Sequence, residues 1–114
     1  MAIAKHYKNM TITAESWETS NAWGHKATLY IDGESFATNR IRYYNRTWES
    51  YQYQTVMRSL LYEVLEDMEK HAIYNYKLNN SVSRLSAAKK DAIIADLKTN
   101  NQEYIDIREF YNSL

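Results

Sequence analysis

The sequence predicts an α+β fold: a three-stranded antiparallel sheet packed by a long helix, followed by two short C-terminal helices. Three observations carry this expectation. Before about residue 47, apolar residues alternate with polar ones and β-formers dominate, whereas after it apolar residues recur at three- and four-residue steps. The third observation is Asp32-Gly33 between two alternating runs. That dipeptide tolerates the positive φ angles of a tight hairpin. With 114 residues the chain is expected to form one domain, with residues 1–46 as sheet, 47–77 as long helix and 81–112 as C-terminal helices.

The first strand is expected from Asn9 to Glu15, where Met10, Ile12 and Ala14 alternate with Thr11, Thr13 and Glu15. A loop around Ser20-Asn21-Ala22 follows, flanked by Trp17 and Trp23. The second strand runs from His25 to Ile31, with Ala27, Leu29 and Ile31 on one face and Lys26, Thr28 and Tyr30 on the other. The third runs from Ser35 to Asn45. A two-residue hairpin loop puts Phe36 beside Leu29 but turns Ile41 and Tyr43 to the opposite face. One extra residue near Asn39 brings both sets inward, so a bulge is expected there.

Thr47 is a suitable N-cap for the long helix. Tyr53, Val56, Met57, Leu60, Leu61, Val64, Leu65, Met68 and Ala72 form its apolar stripe, which must pack on the sheet. Arg58, Glu63, Glu66, Asp67, Glu69 and Lys70 mark the polar side. Ser81, Ser83 or Ser86 caps a second helix, carried by Leu85, Ala88, Ala92, Ile93, Ala95 and Leu97, which breaks at Thr99-Asn100-Asn101. Tyr104, Ile107, Arg108 and Tyr111 share one side of a third helix. Tyr104-Ile105-Asp106-Ile107 also fits a short strand.

Composition removes several function classes. Cysteine is absent, which excludes disulfide staples, thiolate zinc sites and cysteine nucleophiles. Proline is absent and there are only two glycines, so no Gly-rich phosphate loop exists. Lys and Arg balance Asp and Glu at 14 each, which argues against an acidic DNA mimic or a generic basic DNA coater. No stretch approaches the roughly 20 apolar residues that span a bilayer, and the start lacks a signal-peptide run. A cytoplasmic protein without a membrane partner is expected. Asp67 and His71 lie one helical turn apart but lack a third ligand, so they read as a surface pair and no metal is expected. Glu66, Asp67 and Glu69 read as a solvated face, and no Gly-x-Ser-x-Gly elbow occurs. No catalytic residue and no cofactor are expected.

The most informative segment is Asn39-Arg40-Ile41-Arg42-Tyr43-Tyr44-Asn45-Arg46, with three arginines and no acid. Strand alternation turns Arg40, Arg42 and Tyr44 away from Ile41 and Tyr43, and the hairpin adds Lys26 and Tyr30 to that outer face. With Arg46 these residues are the expected partner-binding set. Such a face suits base stacking and phosphate binding, as on RNA-binding sheets. It equally suits protein contact, since Arg and Tyr are enriched anchors. It also suits a merely soluble sheet face whose arginines blunt edge pairing. Trp48, Tyr51 and Tyr53, with Trp17 and Trp23, are expected to form an aromatic cluster capping the core.

The stretches Gly24-His25-Lys26-Ala27-Thr28-Leu29-Tyr30, Arg42-Tyr43-Tyr44-Asn45-Arg46-Thr47-Trp48-Glu49 and Tyr51-Gln52-Tyr53-Gln54-Thr55-Val56-Met57 resemble short proteins of phages and mobile elements of Gram-positive bacteria. The resemblance covers roughly residues 24 to 57. Some small proteins of that setting are anti-CRISPR inhibitors of Cas9-type nucleases. The resemblance therefore implies a non-catalytic protein acting in a host cell by direct contact with a defence nuclease or its ribonucleoprotein complex. The alternative is a small nucleic-acid-binding accessory protein using the same Arg-Tyr face.

Overall fold

The computed structural model describes residues 2–43 and 51–114. It is α+β, and its contacts divide the chain into two compact units: residues 1–62 with Leu114, and residues 63–113.

In the first unit, β1 (Ala2–Tyr7), β2 (Met10–Glu18), β3 (Trp23–Ile31) and β4 (Glu34–Tyr43) form an antiparallel sheet in the order β1-β2-β3-β4. Among the described residues the sheet has four strands, which corrects the expected three. The added strand, β1, lacks the usual alternation signal. Its register sets Lys5 opposite core residue Ile12, while Ala2 and Ala4 lie opposite Glu15 and Thr13. A charge thus stands on the core-side parity, and small apolar residues stand on the outer one. An inward-pointing charge on an edge strand also opposes pairing with further strands. The β1–β2 turn contains no glycine, and Lys8 adopts the left-handed φ of 53° itself. That turn is tied to the next hairpin: Asp32 N donates to the Asn9 carbonyl, and Asn9 Nδ2 donates to Asp32 Oδ1, both at 3.0 Å.

The Asp32-Gly33 hairpin forms as its residues predict, with positive φ at both positions (54° and 81°). A bulge occurs in β4, but not at Asn39. Ser35 pairs with Tyr30 and Ala37 with Leu29, so the extra residue is Phe36. Phe36 is 47% exposed and does not join the core. From Ala37 to Tyr43 the ladder is regular. Asn39 needs no bulge, because its inward side chain finds a polar partner on the long helix: Nδ2 donates to Ser59 Oγ at 3.1 Å.

The core face of this sheet carries Met10, Ile12, Ala14, Trp23, Ala27 and Leu29, all buried. Helix α1 (Tyr51–Asn79) begins in this unit and sets Tyr53, Val56, Met57, Leu60 and Leu61 out of solvent at the expected helical spacing. The Tyr53 hydroxyl meets Ser16 Oγ at 2.8 Å, and Arg58 Nη1 donates to the Leu114 carbonyl at 2.8 Å. The expected cap at Thr47 and the ring of Trp48 lie outside the described residues.

The second unit holds the rest of α1 with α2 (Ala87–Asn100) and α3 (Gln102–Ser113). Helix α1 continues to Asn79, two residues past the expected end at Lys77. Ser86 caps α2, its Oγ accepting from Lys89 N at 3.1 Å. One residue then serves two helices. Asn101 N donates to the Leu97 carbonyl at 3.1 Å, closing α2, while Asn101 Oδ1 accepts from Tyr104 N at 2.9 Å, opening α3. That cap settles residues 104–107 as helix rather than strand. Tyr104, Ile107 and Phe110 are the buried residues of α3, whereas Arg108 is exposed. Helix α2 buries none of its residues.

Candidate contact surface

The outer face of the sheet is built by strand parity. Lys26 lies directly opposite Arg40, with Glu15 on its other side. Tyr30 lies between Thr11 and Ser35, and Arg42 lies opposite Gly24. Between them runs a cross-strand row of Thr13, Thr28 and Thr38, and Thr38 Oγ1 donates to the Ala27 carbonyl at 2.9 Å. Arg40 and Arg42 are exposed, while Lys26 and Tyr30 are half-buried. Four of the six expected contact residues, Lys26, Tyr30, Arg40 and Arg42, thus share one face. Tyr44 and Arg46 lie outside the described residues.

At one end of this face stands a residue expected elsewhere. Trp17 was expected in an aromatic cluster capping the core, but it pairs with Gly24 on the outer face. An added β-carbon at Gly24 would strike the Ile41 carbonyl oxygen and come within 2.9 Å of the Trp17 ring. Glycine is therefore required for this close approach. The Arg40 guanidinium lies over the Trp17 ring, 4.6 Å from its centroid. A cation over an indole at an exposed site contributes about 0.5–1 kcal/mol and holds the arginine in place. The Trp17 Nε1 is buried and has no hydrogen-bond partner among the described residues. The signal for Trp17 was its parity. It shares odd numbering with Thr11, Thr13 and Glu15, and it points outward once β2 extends to Glu18.

Lys26 facing Arg40 is a like-charge cross-strand pair, which costs a few tenths of a kcal/mol or more in a free sheet. Glu15 offsets it from the other side. The row reads acid, base, base, so the face is basic but mixed in sign.

The remaining titratable candidates separate from this face. His25 sits on the core side and is wholly buried, its ring 4.4 Å from that of Tyr53 and 5.9 Å from that of Trp23, edge-on to both. Burial pushes its pKa below the ordinary 6.5, because a charged imidazole would lose its water. In the second unit, burial and the nearby Glu69 carboxylate raise the Tyr104 hydroxyl, which donates to Glu69 Oε1 at 3.4 Å. Asp67 and His71 are exposed on α1, and among the described residues no three His, Asp or Glu side chains gather as a metal site. Nor is any helix there long and apolar enough to cross a membrane.

Comparison with family models, with curated proteins and with solved structures yields no match for this chain.

Proposed function

We propose that this chain is a non-catalytic binding protein that inhibits a host defence nuclease by direct contact, and that it docks through the outer face of its sheet. The observation that carries the surface is the Trp17–Arg40 stack, flanked by Lys26 and Arg42 on an otherwise threonine-covered face. A tryptophan held flat by a glycine, with an arginine fixed above it, is a preorganised anchor of the kind that dominates protein interfaces. The nuclease as partner, of the Cas9 type or within its ribonucleoprotein complex, rests on the resemblance of residues 24–57 to phage and mobile-element proteins. Glu15 beside Lys26 favours a protein partner over a polyanion, because a carboxylate within the basic row repels phosphates.

The second reading is direct nucleic-acid binding, favoured by two arginines and a lysine around aromatic rings on one sheet face. A pull-down from host-type lysate with the tagged chain, with and without nuclease digestion, separates the two. The first reading expects a large protein retained after digestion and lost with Arg40→Glu. Loss of all bound material on digestion, with affinity falling steeply in salt, supports the second. Retention unchanged in Arg40→Glu and Arg42→Glu rejects the sheet face.

A further inference from the structure

Lys26 and Arg40 face each other across β3 and β4, and neither charge is neutralised by a contact within the chain. Among the described residues neither side chain has a hydrogen-bond or ion-pair partner. Glu15, opposite Lys26 on β2, makes no ion pair with it. Like charges set directly opposite each other destabilise a sheet. An anion seated between the two removes that repulsion.

One member of the pair is held at both ends. At its backbone, Arg40 N donates to Asn39 Oδ1 at 2.8 Å. Asn39 Nδ2 in turn donates to Ser59 Oγ at 3.1 Å, which ties this point of β4 to α1. At its head, the Arg40 guanidinium lies over the Trp17 ring, and that ring lies close against Gly24. Stacking occupies the flat face of a guanidinium. Its N–H donors point outward in the plane and stay open to an acceptor. A fork already fixed in place loses little freedom when it binds. Lys26 carries its ammonium on a flexible stem, which suits it to close on the same anion.

We infer that this pair seats a single carboxylate, the side chain of an Asp or Glu on a protein partner, with Arg40 donating from its edge and Lys26 beside it. The inference rests on the sheet-face reading and names the chemistry that face takes up. Carboxylate geometry matches the guanidinium fork, two oxygens to two N–H groups. Charge selects it over phosphate. Along the cross-strand row, Glu15, Lys26 and Arg40 leave one positive charge, which one carboxylate cancels. A phosphate monoester carries about two negative charges and leaves an excess beside Glu15. Arg42 lies in the next row, opposite Gly24, where it adds to the positive field without facing Lys26.

A capped triglutamate peptide, titrated into the isotope-labelled full chain in low-salt, phosphate-free buffer and followed by NMR, tests the inference. The backbone amides of Lys26 and Arg40 and the indole N–H of Trp17 are expected to shift and saturate in the millimolar range. A capped triglutamine peptide should leave them in place. Arg40→Gln and Lys26→Gln are expected to weaken binding about threefold or more. Arg40→Lys should weaken it as much, because it keeps the charge but loses the fork. Arg42→Gln should weaken it less than about twofold. Circular dichroism checks that each variant keeps its fold. The absence of a saturable shift overturns the inference, as do equal losses in Arg42→Gln and Arg40→Gln, which mark a diffuse field. Inorganic phosphate binding as tightly as the peptide overturns the choice of carboxylate. The sheet-face reading fails on a different result, unchanged capture of the host protein by Arg40→Glu and Arg42→Glu.

Discussion

At the scale of single residues, two positions in β3 bear most of the local constraint. Gly24 admits no side chain, because a β-carbon there meets the Ile41 carbonyl, which belongs to a paired backbone and has no room to yield. Gly24→Ala is expected to cost about 3 kcal/mol or more, at the upper end of overpacking effects, read as a lower denaturant midpoint. It also lifts Trp17 off the sheet, so indole fluorescence changes before unfolding. Its neighbour His25 is buried beside Trp23 and Tyr53, with Ser16 and Ile41 at its paired positions, and none of these offers a carboxylate. Burial lowers its pKa in the folded chain. Above about pH 6.5 the ring is neutral in both states and adds no pH dependence. As pH falls below that value the unfolded chain takes up a proton first. Stability therefore drops, with a slope approaching about 1.4 kcal/mol per pH unit, until the folded-state pKa is passed. Denaturant titrations between pH 7.5 and about 5 should show this loss in the wild type and a shallower one in His25→Phe. Equal slopes would remove His25 as the source.

At the scale of elements, what was legible in the sequence follows local periodicity. Strands β2 and β3, the hairpin at Asp32-Gly33 and the stripe from Tyr53 to Leu65 appear where alternation or helical spacing places them. Legibility ended where a tertiary partner replaced the pattern. Lys5 stands on the core side of an edge strand, so β1 shows no amphipathic alternation. Asn39 satisfies itself on Ser59, so the bulge falls at Phe36 instead. The contact face was half legible. Parity alone assigns Lys26, Tyr30, Arg40 and Arg42 to it, and it adds Trp17 once β2 extends past the expected end at Glu15 to Glu18. The α2–α3 junction shows the same dependence at one residue. Asn101 closes one helix with its backbone and opens the next with its side chain. Asn101→Ala is expected to cost about 1 kcal/mol, while Asn101→Asp keeps the acceptor and most of the stability. Thermal unfolding of both variants reads the difference, and an alanine variant as stable as wild type would deny the cap its role.

At the scale of the whole molecule, burial is distributed unevenly, and so must be the resistance to local opening. Strands β2 and β3 are each paired on both sides and carry the buried residues from Met10 to Leu29. Helix α2 has its cap at Ser86 and its stop at Asn101 but no buried side chain. Local opening of an element costs what its packing contributes, so amide protection should follow this order. Hydrogen exchange at low micromolar concentration is expected to find the central strands protected near the global unfolding free energy. In α2 the amides should exchange orders of magnitude faster, although both elements are equally regular in backbone hydrogen bonding. If α2 exchanges as slowly as β2 and β3, its half-buried Ile93, Ile94 and Leu97 stabilise it as well as full burial would, and burial does not set the order of protection.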